Sequence, residues 1–212
     1  MSRDKLAPIF DESKPYTIEA WEESRDLLIA QWKEVIGRPS FTDYEKKTTL
    51  LETFEHPDFH GTLYRQSTGP NAEQLVFLME PTCASSSPRP GAIVPFYHPD
   101  TMAGYDLKKR QQIEDEKNIQ FGLHLVRQGY VVVCTEAFPF NTVPEPVNNC
   151  GFAWWQAAAD KIKNDHPNWT GIGKLIWDTR RAVDLLLSQN NIDENRIVIM
   201  GHSLGGKMAF CT

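Results

Sequence analysis

The stretch Arg196-Ile197-Val198-Ile199-Met200-Gly201-His202-Ser203-Leu204-Gly205-Gly206-Lys207 constrains what this chain can fold into. A β-branched apolar run, the composition of a buried strand, stops at Gly201. A serine follows two residues later, then two glycines, then helix-compatible Lys207-Met208-Ala209-Phe210. The pattern predicts strand, sharp turn and helix, with a serine hydroxyl at the apex. Only small residues fit two positions before and after that serine, because strand and helix approach closely there. The new helix also aims its first free N–H groups at the apex, so position and an anion-stabilising field coincide.

A bare Gly-x-Ser-x-Gly arises by chance in roughly one chain of this length in fifteen. The strand run before it and the helix after it remove most such accidents. Gly201 to Lys207 also reads as a phosphate-cradling loop, Gly-x-x-x-x-Gly-Lys, which likewise joins strand to helix. That loop needs Ser or Thr after the lysine to hold Mg²⁺, and here a thioether, Met208, stands there. A nucleotide binder at Gly201–Lys207 is therefore the lesser alternative.

With 212 residues, 41% hydrophobic and 24% charged, the chain suits one soluble domain. Its net charge of −6 offers nothing to nucleic acid or an anionic membrane. Met1-Ser2-Arg3-Asp4-Lys5 leads to no apolar segment, and no apolar run approaches the length of a membrane span. Cys83, Cys134, Cys150 and Cys211 are scattered, without the spacing of a disulfide framework or a zinc site. The expected compartment is the cytoplasm, with no metal and no cofactor.

Residues 1–15 read as a polar surface segment. Thr17 caps a predicted helix from Ile18 to Ile36, ended by Gly37 and Pro39, with Trp21, Leu28, Trp32 and Val35 as its apolar stripe. Residues 1–59 are expected to form a helical extension packed on a main domain of residues 60–212. Before that domain, 44–51 is ambiguous. Strands are expected at 62–66 and 75–79 around a Gly69-Pro70-Asn71 turn, then at 92–97, where Pro95 calls for a bulge. His98 to Gly104 reads as a loop, 106–118 has no clean period, and a helix gathers around Ile119, Phe121 and Leu125. Tyr130 to Cys134 is apolar on both faces, as in a central parallel strand. Residues 135–169 form a long connection, and Leu175 to Leu187 an amphipathic helix. From residue 92 strands alternate with helices, which argues an α/β fold with a mostly parallel sheet and crossover helices. Such sheets bind ligands at the carboxyl ends of their strands, where Ser203, His98-Pro99-Asp100 and Glu136-Ala137-Phe138 all fall.

These pieces resemble the α/β-hydrolases, specifically the dienelactone hydrolase and acetyl xylan esterase-like group. The likeness is carried by Ala92–His98, Gly129–Val133, Trp177–Val183 and Arg196–Lys207, and covers roughly residues 60 to 212. It implies Ser203 as nucleophile toward a small-molecule ester or amide, through an acyl-enzyme that water hydrolyses. It implies an oxyanion hole from the Leu204 N–H and one N–H of the loop after the third strand. Members of the group commonly carry His-Gly-x in that loop. Here His98-Pro99-Asp100 takes the place; Pro99 has no N–H, which leaves that of Asp100.

The resemblance also implies partners for Ser203 that follow it in sequence, first an acid and then a histidine. Thr212 is nine residues past Ser203, so both, with about three strands, find no sequence to occupy. Among upstream histidines, His202 is expected to point into packing and His98 to shape its loop. His56, His60, His124 and His166 read as surface or turn residues, none with a carboxylate at an orienting spacing. The expectation is an N-terminal portion of a serine hydrolase, inactive as it stands; the alternative is a non-catalytic remnant or binding scaffold of the same fold. His98, Glu136 and Phe138 are candidates to line the substrate pocket, with a solvated strand-end acid as the other reading of Glu136. Asp178, near Arg180 and Arg181, reads as a structural ion-pair partner rather than a catalytic acid. Phe138, Phe140, Phe152, Trp154, Trp155 and Trp169 either cover an apolar substrate or pack the long connection.

Overall fold

The structure, a computed structural model, describes Ser13 and residues 17–115, 117–146 and 151–212. The rest of the opening stretch and Cys150 lie outside the described residues. Two compact units emerge, Met1–Gly37 and Arg38–Thr212.

The first unit contains α1 (Ile18–Ile36), with both ends where the capping residues put them. Thr17 Oγ1 accepts from the Ala20 N–H at 3.2 Å. Gly37, at φ 72°, closes the far end by donating to the Lys33 carbonyl at 3.0 Å. No residue of α1 is buried, its Trp21–Val35 stripe included.

Sheet begins well before residue 59. Thr48–Glu55 is strand β1, paired antiparallel with β2 (Phe59–Gly69) through a bulge between Leu50 and Glu52. Its side chains are mostly exposed, so 44–51 lacks the alternation of a half-buried strand. A tight turn at 70–71 joins β2 to β3 (Ala72–Pro81), also antiparallel. Then come β4 (Arg89–Pro95), α2 (Pro99–Ala103), the two-residue strands β5 (Tyr105–Asp106) and β6 (Gln111–Gln112), α3 (Phe121–Arg127) and β7 (Val131–Thr135). The long connection after β7 contains α4 (Phe152–Asp165). The chain closes with α5 (Gly171–Leu187), β8 (Ile192–Ile199) and α6 (Leu204–Cys211).

Among the described residues six strands form one sheet, ordered β1-β2-β3-β7-β4-β8. From β4 onward it is parallel, β7 to β4 and β4 to β8, and the earlier hairpins add an antiparallel flank. The central strands are apolar on both faces because both are covered. Phe77, Met79, Ala92, Val94 and Cys134 pack on one side with Met102, Leu123 and Val126. Val76, Leu78, Ile93, Val131 and Val133 pack on the other against Ala182, Leu185 and Leu186 of α5.

Two local expectations are corrected. The β4 irregularity lies between Arg89 and Gly91, not at Pro95. Pro95 ends β4, beyond the last β8 pairing at Ile93–Ile199, so its missing N–H leaves no gap between those strands. And the loop after His98 is a short helix. Pro99 opens it, where a proline fits, and Gly104 closes it at φ 66°.

Candidate active site

The turn out of β8 presents the serine. The Met200 N–H donates to the Ile93 carbonyl at 3.0 Å, and the chain then reverses into α6. Ser203 caps that helix at φ 50°, ψ −106°, in the region that side-chain-bearing residues avoid. Such a conformation persists only where the surroundings over-determine it. Here two glycines do so. A Cβ on Gly201 would drive into the Gly205 carbonyl group, and one on Gly205 into the Pro95 carbonyl oxygen. Without those atoms, the end of β4, the turn after β8 and the start of α6 meet around Ser203. The Gly205 N–H bonds the His202 carbonyl at 2.8 Å, and that of Lys207 the Ser203 carbonyl at 3.2 Å. Ser203 is exposed and Leu204 buried. Met208 is buried with Leu204, Trp169 and Leu175, so the position that would ligate Mg²⁺ in a phosphate loop is core.

The segment after β4 lies at the adjacent strand end. His98 precedes α2 in extended conformation, and Asp100 sits in that helix's first turn. The Asp100 carboxylate is committed to the Leu107 N–H, which Oδ2 accepts at 3.1 Å. Burial pushes its carboxyl above the usual range, while that hydrogen bond pulls it back.

The end of β7 brings Glu136, which is held rather than solvated. Its N–H donates to the Leu75 carbonyl at 3.0 Å, and its Oε2 accepts from the Leu75 N–H at 2.9 Å. Its Oε1 lies 3.8 Å from His98 Nδ1. Phe138, expected to line a pocket, is 5% exposed and packs among Ala158, Ile162, Trp169 and Leu175. Phe140 is half-buried, its ring centred 4.6 Å from His98 and 5.2 Å from Tyr97. Trp154 and Trp169 are also core, and Phe152 is exposed, so most of the aromatic set packs the connection.

The histidines distribute differently from expectation. His202 is exposed rather than packed away. His56 stacks on Phe59 at 4.4 Å, and burial lowers its pKa. Carboxylates do lie near three of them: Glu55 at 2.7 Å from His60, Asp58 at 3.8 Å from His56, and Glu136 beside His98. The Glu55–His60 pair faces across β1 and β2, and Glu136 belongs to a neighbouring strand end, so their sequence spacing does not reveal them. His124 Nε2 pairs with the Lys117 carbonyl and His166 Nδ1 with Ser40. Among the described residues, no histidine is hydrogen-bonded to Ser203.

Behind the strand ends is a polar cluster that the sequence reading missed. Asp178 pairs with Lys174, not with Arg180 or Arg181. The i,i+4 spacing of Lys174 and Asp178 on one helix was the available signal. Gln74 donates to Gln66 Oε1 at 2.9 Å and to the Asp178 carbonyl at 3.0 Å. Among the described residues no three His, Cys, Asp or Glu gather as metal ligands, and no helix is long and apolar enough to cross a membrane.

No family model and no curated protein matches the sequence. Solved structures match its fold. A Bacteroides fragilis protein assigned as an acetyl xylan esterase superposes with a TM-score of 0.65 at 14% identity, over 91% of this chain and 50% of its own. A glucuronoyl esterase from Solibacter usitatus gives 0.61 at 16% identity, over 98% and 61%. A glucuronoyl esterase from Teredinibacter turnerae gives 0.59 at 18% identity, over 97% and 52%. The chain therefore spans between 50% and 61% of the length of these structures. Likeness at such identities establishes architecture: this is an α/β-hydrolase fold.

Proposed function

We propose that this chain carries the nucleophile and oxyanion-binding half of a serine hydrolase acting on small-molecule carboxylic esters. The observation that carries the reading is Ser203 itself, exposed at a backbone conformation that only the bare Gly201 and Gly205 permit. In this reading Ser203 Oγ attacks the ester carbonyl carbon while its proton passes to a base. The carbon–oxygen bond to the alcohol then breaks, and the alcohol leaves with a proton. Water adds to the acyl-enzyme, releasing the acid and returning a proton to Ser203. The Leu204 N–H at the first residue of α6 and the Asp100 N–H in α2 receive the charge on the carbonyl oxygen. The Asp100 carboxylate accepts from the Leu107 N–H and also draws on its own backbone N–H. The ester hydrolases among the structural neighbours support the substrate class. Fluorophosphonate labelling of the product of the whole open reading frame tests this: a Ser203 adduct is expected, and its absence would sink the proposal.

One observation favours a second reading, a non-catalytic scaffold. Among the described residues Ser203 has no histidine hydrogen-bonded to it, and a serine without a base is a weak nucleophile. If the scaffold reading holds, the 212-residue chain leaves p-nitrophenyl acetate unhydrolysed. Hydrolysis abolished by Ser203→Ala would reject it.

A further inference from the structure

Asp178 belongs to α5, yet it anchors the turn that follows β7. Its carboxylate is 0% exposed and accepts from Lys174 Nζ through both oxygens, at 2.6 and 2.5 Å. A further bond comes from Asn141 Nδ2 to Oδ2 at 2.7 Å. Lys174 is 2% exposed and otherwise reaches Thr68 Oγ1 at 3.4 Å. Asn141 thus ties its turn to a buried ion pair, and bonds to ionised acceptors are the strong ones.

The turn is stiff in itself. The Phe140 and Asn141 N–H groups donate to the Ala137 carbonyl at 2.9 and 3.4 Å, and that of Thr142 to the Pro139 carbonyl at 2.9 Å. Fixing Asn141 therefore fixes Phe140. The Phe140 ring packs edge-on against His98, and His98 leads directly into α2 and the Asp100 N–H.

We propose that Asn141 is a positioning residue: clamped by the Asp178–Lys174 pair, it holds Phe140 against His98 and so sets the segment carrying the second oxyanion donor. The catalytic consequence rests on the serine-hydrolase reading; the mechanical coupling does not. If Asn141 only satisfied Asp178, removing it would loosen its own turn and nothing beyond.

Amide exchange read by mass spectrometry on the whole chain, well below its unfolding temperature, separates the two. In Asn141→Ala, exchange should quicken about tenfold, the worth of one bond to a charged group, in residues 137–146 and also in 98–107. The second segment holds the Gly104 and Leu107 N–H groups that bond Asp100. Quickening confined to 137–146, or found in neither, overturns the proposal.

Should that variant not fold, Asn141→Asp decides. Two carboxylates at this distance resist ionising together, so a shared proton returns as pH falls and restores the link. Lys174, Glu136 and Tyr44 also act on Asp178 or feel its charge. Each measurement is therefore taken relative to the parent at the same pH. The excess exchange of 98–107 should shrink from pH 8 to pH 5; a pH-independent excess, or none, overturns the proposal. Coupled exchange in a protein whose Ser203 takes no fluorophosphonate would defeat the hydrolase reading and leave the positioning role standing.

Discussion

Ser203 stores strain that its own side chain creates. At φ 50° a Cβ costs about 1–2 kcal/mol, and glycine is spared that cost. Ser203→Gly should therefore raise the melting temperature by about 2–8 °C, whereas Ser203→Ala should leave it near the parent. Calorimetry decides, and a Ser203→Gly protein that melts lower places the strain elsewhere. Asp100 makes a complementary case through its titration. Burial, its largest influence, raises the folded pKa above the usual carboxylate range. The fold thus disfavours the charged form: the cost is absent at low pH, appears as pH rises through the unfolded pKa, and is complete above the folded one. Asn at this position keeps an oxygen to accept from the Leu107 N–H. Asp100→Asn should gain stability at pH 7, by under about 1 kcal/mol after solvent screening, and nothing at pH 3. Denaturant midpoints at the two pH values check this, and an equal gain at both contradicts it.

At the scale of elements, α5 carries its charge inside. Lys174 and Asp178 are both buried, and their pair faces Gln74, Thr68 and Asn141 rather than solvent. Breaking such a pair strands a charge and costs about 3–5 kcal/mol, while replacing both partners with apolar residues costs far less. Asp178→Ala should fall in that range, and Lys174→Met with Asp178→Leu should recover most of the loss. Equal losses in urea unfolding would show that no charge was stranded. The pair's i,i+4 spacing is legible in the sequence, but its surroundings are not. The caps of α1, the two-faced strand β7 and the turn at Ser203 follow from neighbours a few residues apart, and the sequence pattern predicts all three. Glu136 beside His98, and Asn141 on Asp178, join segments whose meeting the sheet order decides. Phe138 and Phe140 are equivalent in composition; only the geometry of one turn sends the first into the core and the second toward His98. Strand β1 escaped notice because its exposed side chains leave no alternation to read.

For the unit from Arg38 to Thr212, the two sheet edges are unlike. The β1 edge is bulged and carries Glu52 and Glu55, devices that discourage pairing with another chain. At the other edge, β8 pairs with β4 and begins with Asp193, Glu194 and Arg196, but its carboxyl end turns apolar. Val198 and Met200 are exposed there, and Phe210 of α6 is 88% exposed. An open strand edge next to exposed apolar side chains favours association. The 212-residue chain should therefore self-associate as its concentration rises in sedimentation velocity, and a monodisperse monomer throughout would contradict this. Val198→Lys and Phe210→Lys place charge on that surface without touching Gly201, Ser203 or Gly205, so together they should restore the monomer. The melting temperature should stay near the parent's for Phe210→Lys, whose side chain is 88% exposed, and fall slightly for Val198→Lys, at 39%. If association persists in the double variant, the contact lies elsewhere on the molecule and the β8 edge is protected by its charged first half.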